Sequence, residues 1–175
     1  MEIELTQGKV AIVDEKYAYL NEVKWSATKD GRPSNQVFYA CRVIGTRKVH
    51  KMILMHRVIL ESMIGRSMIA GEQCDHINHN GLDNKCLNLR LTTVRENHCN
   101  QRIQGIDKSS KYKGVHWDKS RSKWQVSIKN YGKQIFLGRF IDEDDAAFAY
   151  DRAAIKYHGN FAYLNFPDIE EIVKF

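Results

Sequence analysis

The chain has 175 residues, of which 43% are hydrophobic and 27% are charged, a composition typical of a folded protein with one large or two small domains. It carries 27 Lys and Arg against 21 Asp and Glu, and the formal charge of +6 weakly favours a polyanionic partner. No apolar stretch of about 18 residues and no signal-peptide pattern occur, so we expect a cytoplasmic protein without membrane contacts.

The cysteines indicate free thiols. Cys41, Cys74, Cys86 and Cys99 lie far apart and form no CxxC pair, which argues against a disulfide framework or a zinc ribbon. A zinc site from the last three is conceivable, but their spacings fit no usual zinc pattern.

The first half of the chain predicts a small sheet followed by helices. Residues 9–13, 37–44 and 49–55 are rich in β-branched and aromatic types, with a turn signal at Asp30-Gly31-Arg32-Pro33. Residues 56–64 show helical spacing that Gly65 would end, and residues 94–103 favour a short second helix. The stretch QGIDKSSK at residues 104–111 has the composition of a flexible joint.

The second half predicts three antiparallel strands and one helix. The segments YKGVHW, KWQVSIKN and QIFLGRF alternate with period two, with turns at 118–123 and 130–133. Asp142 is a good cap for a helix that Gly159 would end. Its apolar stripe is formed by Ala146, Ala149, Tyr150, Ala153, Ala154 and Tyr157.

One segment has the composition of a hydrolytic site. Asp75 and His76 are adjacent, Asn88 follows a loop that contains Gly81, and Asn97 falls early on the predicted second helix. Phosphodiester hydrolysis needs a base that takes a proton from water and positive charge near the leaving oxygen. A neutral imidazole can be the base, and oxygen ligands from Asp75 and Asn97 could hold a divalent cation.

These residues resemble the strand, loop and helix core of HNH homing endonucleases, the ββα-metal fold. The resemblance runs through MHRVIL, DHINHNGLDN, NLRL and Asn97, and with the upstream segment it covers the first hundred residues. It implies that Asp75 and Asn97 bind the metal, that His76 is the general base and that Asn88 braces the loop that orients His76. An amide in place of a histidine ligand favours Mg²⁺ or Mn²⁺ over Zn²⁺, with one ion per active site.

Other residues of this segment have competing interpretations. An Asp-His pair in a loop can be turn chemistry alone. His79 and His98 are rival metal ligands, while His56 and Arg57 could touch phosphate or simply pack beside the site. We interpret Asn78, Asn80, Asp83 and Asn84 as loop formers without a catalytic role.

The segment from 102 to 139 has the charge of a nucleic-acid-binding surface, with ten basic residues against two acidic ones. In its second strand Trp124, Val126 and Ile128 should meet the helix, and the opposite side is free to enter a groove. We expect Trp117 and Trp124 to belong to the core rather than to stack on bases.

This second half resembles the ethylene-response-factor (apetala-type) DNA-binding domain of plants, through YKGVHW, WQVSI, FLGRF, DEDDAAFAYDRAAIKYHG and LNFP. By position, the resemblance implies that Lys113, His116, Ser127, Lys129, Gln134 and Phe136 face DNA. The charge pattern and the strand alternation add Arg121 and Gln125 to the predicted DNA-binding residues.

Together these patterns predict an α+β protein. We expect an HNH nuclease domain at 1–103, a linker at 104–110, an apetala-type domain at 111–167 and a C-terminal tail at 168–175. The predicted function is a monomeric, site-specific, metal-dependent endonuclease of homing type that cuts or nicks double-stranded DNA in a bacterial or phage-infected cell. The alternative is a DNA-binding regulator without catalysis; an RNA-binding module is weaker because the sheet lacks aromatic pairs that stack unpaired bases.

Overall fold

The computed structural model describes residues 1–29, 37–46, 49–101 and 109–167. The chain divides into two compact units, Met1–Arg95 and Glu96–Phe175. Both combine helices with antiparallel sheets, which confirms the predicted α+β class.

Among its described residues, the first unit contains seven strands arranged in three small antiparallel sheets. They pair as β1 with β2, β3 with β4 and β5, and β6 with β7: Glu2–Glu4 (β1), Val10–Ile12 (β2), Ser26–Lys29 (β3), Phe38–Gly45 (β4), His50–Leu54 (β5), Glu72–His76 (β6) and Leu89–Thr93 (β7). Strands were predicted where β2, β4 and β5 lie, whereas β1 and β3 were missed. The predicted turn at residues 30–33 lies outside the described residues.

Helix α1 (Met55–Ile64) follows β5 directly and anchors the core of the first unit. Its C-terminal cap is Gly65 in the left-handed conformation (φ 68°), as predicted from the glycine. Met55 and Ile59 are fully buried against Ile3 and Trp25. Because α1 and the short 3-10 helix Cys86–Asn88 both contact this core, they hold the loop between β6 and β7 in place.

Helix α2 (Val94–Asn100) begins directly after β7, within the predicted range 94–103. The division between the two units falls inside this helix, after Arg95. The order β6, loop, β7, α2 is the strand, loop and helix sequence that the motif predicted.

The second unit has a three-stranded antiparallel sheet with the order β10-β9-β8 and a helix packed on one side. Its elements are Val115–Asp118 (β8), Lys123–Asn130 (β9), Lys133–Phe140 (β10) and Glu143–His158 (α3). Tyr131 (φ 47°) and Gly132 (φ 77°) make the tight turn between β9 and β10, as expected for a two-residue hairpin loop.

Helix α3 begins as its sequence predicts. Asp142 accepts hydrogen bonds from the backbone N–H groups of Asp144 (2.8 Å) and Asp145 (3.1 Å). The alanines of α3 let it lie close to Val126 and Ile128 of β9, which are buried.

Three details of the second unit differ from expectation. Trp117 is 36% exposed at the sheet edge and is therefore not a core residue, although Trp124 packs against the core. In α3, Ala147 is buried and Ala149 is only half-buried. At the end of the predicted flexible joint, the Ser110 hydroxyl donates to Glu143 Oε1 (2.7 Å), so this end is fixed.

Among the helices in the described part of the chain, none is long and apolar enough to cross a membrane.

Candidate active site and nucleic-acid interface

Asp75 and His76 are the last two residues of β6, and β7 holds both in register. Asp75 pairs with Arg90 and His76 pairs with Leu89. Each of the two polar residues is only 6% exposed, which is unusual for an Asp-His pair and excludes the simple exposed-turn interpretation. The end of β6 therefore carries a buried acid and a buried imidazole at consecutive positions.

Arg90 holds the Asp75 carboxylate in place. Its Nε lies 2.9 Å and its Nη2 lies 2.8 Å from the same oxygen, Oδ2 of Asp75. Sequence reasoning missed this ion pair because it depends on the pairing of β6 with β7. The NLRL motif was the available signal, since Arg90 directly follows Leu89.

The His76 ring is held by a hydrogen bond and by two neighbouring rings. Its Nε2 lies 3.2 Å from Oδ1 of Asn84. The ring centroid of His56 lies 5.0 Å away at an interplanar angle of 85°, and that of Tyr39 lies 5.8 Å away. These contacts restrict both the position and the plane of the His76 ring.

Burial keeps both histidines of this cluster neutral. It lowers the pKa of His76 below 6.5, although Asn84 and Asp75 act in the opposite direction. Burial, with smaller contributions from His76 and Arg57, lowers the pKa of His56 to about 3. Nδ1 of His56 is buried and has no hydrogen-bond partner in the described part of the chain.

Residues 77–88, here called the site loop, are braced by Asn88. Oδ1 of Asn88 accepts a hydrogen bond from Asn78 N (2.9 Å), and Nδ2 donates to Asp83 O (2.6 Å). One side chain therefore links both sides of the site loop. This geometry is what the proposed bracing role of Asn88 requires.

The other polar residues of the site loop were interpreted as loop formers. Asn78 and Asn80 do bond within the loop, since Oδ1 of Asn78 accepts from Asn80 N (2.9 Å) and Oδ1 of Asn80 accepts from Leu82 N (3.1 Å). For Asn84 that interpretation is incomplete because its side chain is fully buried and bonded to His76. In the sequence, Asn84 is indistinguishable from its neighbours.

The site loop is also anchored to the rest of the first unit. Ile12 donates from N to Leu82 O, and Asn84 donates from N to Ile12 O, both at 2.8 Å. At Gly81, an added Cβ would lie 2.5 Å from the carbonyl oxygen of Phe38 and 2.6 Å from the ring of Tyr39. Glycine is therefore required there, and the loop is pressed against β4.

The remaining predicted ligands are placed as follows. Asn97 and His98 lie on α2, in the second unit, and His98 is exposed. His79 lies in the site loop with a positive φ of 62°. Within residues 1–29, 37–46, 49–101 and 109–167, no group of three His, Cys, Asp or Glu side chains is placed so that it could hold a metal ion.

In the second unit, one side of the sheet carries most of the predicted DNA-binding residues. Strand register places His116 beside Gln125, Phe136 beside Ser127 and Gln134 beside Lys129. Gln134 also donates from Nε2 to Ser127 Oγ (2.8 Å). With Arg139, which lies opposite Gln125, these residues form what we call the polar face: His116, Gln125, Ser127, Lys129, Gln134, Phe136 and Arg139.

A β-bulge puts Arg139 on the polar face. The register shifts between Phe136 and Gly138, so that Gly138 pairs with Val126 and Arg139 pairs with Gln125. Without the bulge, strand alternation would turn Arg139 toward α3. The sequence prediction counted this arginine among the basic residues but did not include it among the DNA-binding residues.

Side chains around Arg139 hold it in one position. Arg139 donates from Nε to Asp118 Oδ2 (3.1 Å) and from Nη2 to Gln125 Oε1 (3.1 Å), and it lies over the ring of Phe136. Hydrogen bonds from Ser120 and Arg139 hold the pKa of Asp118 well below its usual range. Asp118 is therefore a fixed negative partner for the arginine.

Two further residues that were predicted to bind DNA lie outside the polar face. Arg121, in the turn between β8 and β9, has an exposed side chain that reaches Asp118 at 3.4 Å. Lys113 directs its ammonium to the carbonyl oxygens of Cys99 and Gln101, both at 2.7 Å. The ammonium of Lys113 thus bonds the C-terminal end of α2.

Comparisons with known proteins match both halves of the chain. A family model described as HNH endonuclease matches residues 54–99. The uncharacterized HNH endonuclease L560 of Acanthamoeba polyphaga mimivirus is 30% identical over 160 residues, which cover 91% of this chain and 76% of the viral protein.

Plant transcription factors are similar to a shorter part of the chain. The AP2-like ethylene-responsive transcription factor TOE2 of Arabidopsis thaliana is 45% identical over 69 residues, and the APETALA2-like protein 2 of Oryza sativa subsp. japonica is 44% identical over 69 residues. These matches cover 38% of this chain but only 14% and 16% of the plant proteins, respectively.

Proposed function

The chain belongs to the HNH endonuclease family, and we propose that it hydrolyses phosphodiester bonds of double-stranded DNA with His76 as the general base. The observation that carries this proposal is the buried Asp75-His76 pair, with Nε2 of His76 bonded to Asn84. A neutral imidazole can take the proton from water, and a carboxylate can hold the cation that supplies positive charge at the phosphate.

The reaction consumes one water molecule. Nδ1 of His76 takes a proton from the water as its oxygen forms a bond to phosphorus. The bond from phosphorus to the leaving oxygen then breaks, and that oxygen takes a proton from solvent. His76 returns its proton to solvent, which restores the neutral ring for the next cleavage.

We further propose that Asp75 and Asn97 hold one Mg²⁺ or Mn²⁺ ion, which when bound would supply positive charge at the phosphate and the leaving oxygen. The donor set fits such an ion because Mg²⁺ usually takes one or two carboxylates and completes its shell with water and phosphate oxygens. Arg90 contacts Asp75 through Oδ2, so the carboxylate is already oriented before an ion binds.

DNA binding is assigned to the second unit. The polar face combines amides, a lysine, an arginine and an exposed aromatic ring, which are groups that address base edges and phosphates. Arg121 extends this set from the adjacent turn. We omit Lys113 because its ammonium bonds Cys99 and Gln101.

We also propose how many strands are cut, in what oligomeric state and in what kind of cell. A single base in each chain activates one water at one phosphate, so we propose a monomer that nicks one strand. Recognition by the polar face would make cleavage site-specific, as in a homing endonuclease of a phage or bacterial cytoplasm. A regulator that binds DNA without cutting it is the alternative, and a pair of buried reactive residues argues against it.

Incubation with supercoiled plasmid tests the proposal. With Mg²⁺, we expect nicked circles to appear before linear product, and EDTA should abolish both. Linear product without a nicked intermediate would contradict the monomeric nickase. Tight duplex binding without cleavage, in either Mg²⁺ or Mn²⁺, would favour the regulator.

A further inference from the structure

Asn84 is the most deeply buried polar residue of the site loop, with 0% of its surface exposed. Its backbone N–H donates to Ile12 O at 2.8 Å, which fixes the residue to β2. Asn88 adds a second constraint because its Nδ2 bonds the carbonyl of Asp83, the preceding residue. The backbone at Asn84 is therefore fixed by two contacts.

The neighbours of Asn84 determine which way its amide points. Nδ2 lies 3.2 Å from the carbonyl oxygen of Leu82 and 3.7 Å from Sδ of Met55. A carbonyl oxygen and a thioether sulfur only accept hydrogen bonds, so the NH₂ group must face them. Oδ1 then faces His76, and an amide oxygen can only accept.

We propose that Asn84 is a positioning residue that keeps the proton of neutral His76 on Nε2. Because Oδ1 needs a donor, Nε2 carries the hydrogen, and Nδ1 then carries the lone pair that takes the proton from water. The inference rests on the proposed role of His76 as the base. The hydrogen bond persists after proton transfer, since Nε2 donates in both forms of the ring.

The ring contacts and Asn84 have separate effects. His56 and Tyr39 restrict the plane of the His76 ring, but ring packing alone does not distinguish its two nitrogens. Only a directional partner such as Oδ1 of Asn84 does so. Loss of Asn84 should therefore allow ring flips and mixed tautomers within an otherwise intact loop.

Nitrogen NMR of the full-length protein, without DNA or metal, tests this inference directly. The His76 signals are assigned by their loss in His76→Ala, at a pH where the ring is neutral. We expect a protonated Nε2 with slow hydrogen exchange in the wild type. Asn84→Leu, which has the branched shape of Asn but cannot accept, should lose this protection, whereas Asn84→Asp, which keeps an acceptor, should retain it.

Cleavage kinetics provide the second readout. Asn84→Leu should lower kcat by about 10–100-fold, the range seen when a group that orients a reactive residue is removed, with KM unchanged. Asn84→Asp should recover most of this loss. The matched control is Asn80→Ala, which removes a hydrogen bond at an exposed position of the same loop without touching His76, and its kcat should equal that of the wild type.

Three outcomes would overturn the inference: a wild-type His76 with its proton on Nδ1, a folded Asn84→Leu with wild-type kcat, or an Asn84→Asp that loses the Nε2 proton. If Asn84→Leu does not fold, the position of the proton in the wild type and in Asn84→Asp still tests the inference. The NMR spectrum of the metal-free protein does not depend on activity. If the wild type cleaves no duplex, that result therefore refutes the proposed function and not the role of Asn84.

Discussion

The two polar regions of this chain are built in opposite ways. In the first unit, Asp75, His76 and Asn84 are at most 6% exposed, and a neighbouring side chain orients each of them. In the second unit, the polar face lies on the outside of a sheet, and Phe136 is 54% exposed. The residues of the first region are oriented by buried contacts, whereas those of the second lie exposed on the surface of a sheet.

The difference matches the demands of the two tasks. A general base must be aligned within a few tenths of an ångström, and burial gives that alignment while keeping the imidazole neutral. A groove-binding surface needs side chains that exchange water for bases and phosphates, so exposure is required. Substitutions in the first region should therefore alter rate, and substitutions in the second should alter affinity.

The largest effect is expected at the base. His76→Ala should slow cleavage by ~10²–10⁴-fold, as general-base catalysis is lost. Because burial lowers the pKa of His76, wild-type activity should rise with pH through a limb below pH 6.5 that the variant lacks. The control is His79→Ala, at the rival histidine of the site loop, and a loss there instead of at His76 would reassign the base.

Removal of the carboxylate separates metal binding from proton transfer. Asp75→Ala should abolish the metal-dependent part of cleavage because it removes an oxygen ligand and leaves His76 in place. Wild-type activity should return after EDTA treatment with Mg²⁺ or Mn²⁺ but not with Zn²⁺. Calorimetric titration with Mn²⁺ measures the ligand role independently of activity, and unchanged affinity in Asp75→Ala would refute it.

On the polar face, the largest effect is expected at Arg139. Arg139→Ala should weaken duplex binding by about 1–3 kcal/mol and reduce discrimination between sequences, if the oriented guanidinium reads a base edge. Binding to a randomised duplex library measures both quantities. Arg152→Ala, an exposed arginine on α3, is the matched control. Equal losses of duplex affinity in the two variants would indicate that Arg139 contributes only nonspecific positive charge.

The burial of His56 also leads to a prediction about how the stability of the protein depends on pH. Since the pKa of His56 is about 3 when folded and near 6.5 when unfolded, the unfolded chain binds the additional proton as pH falls. His56 should thus destabilise the protein by about 2 kcal/mol at pH 5 relative to pH 7.

Urea unfolding of His56→Phe checks this prediction. The variant keeps an aromatic ring but cannot bind a proton, so its free energy of unfolding should fall less between pH 7 and pH 5. His98→Phe, at an exposed histidine, should keep the wild-type pH dependence. If the free energy of unfolding of His56→Phe fell as much as that of the wild type, His56 would not be the source of the pH dependence.

The smallest effect is expected at a single phosphate contact. Lys129→Ala should reduce the slope of log affinity against log salt concentration by about one unit, if its ammonium meets a phosphate. Lys156→Ala, on α3, should leave the slope unchanged. An unchanged slope in Lys129→Ala would indicate that Lys129 is a solvated surface residue without a phosphate contact.

Local signals in the sequence were sufficient for much of the fold. Asp142 and Gly159 mark the ends of α3, and Gly132, which readily adopts a positive φ, marks the turn between β9 and β10. The roles of Asp75 and His76, by contrast, were predicted from the resemblance of their motif to HNH endonucleases, since an Asp-His pair alone also fits turn chemistry.

What the sequence did not reveal depends on non-local contacts. Arg90 meets Asp75 through strand register, and Arg139 reaches the polar face through a bulge that shifts alternation by one residue. Asn84 looks like any other turn residue until its burial against His76 is known. Trp117 was expected in the core because an edge strand is not evident from period alone.

The division between rate and affinity is tested most directly by measuring both in the same two variants, His76→Ala and Arg139→Ala. Single-turnover cleavage at saturating protein gives the rate, and duplex titration under metal-free conditions gives Kd. We predict that His76→Ala loses rate and keeps its Kd, while Arg139→Ala weakens binding and keeps its saturated rate. A similar loss of both quantities in either variant would contradict the separation of the buried site from the polar face.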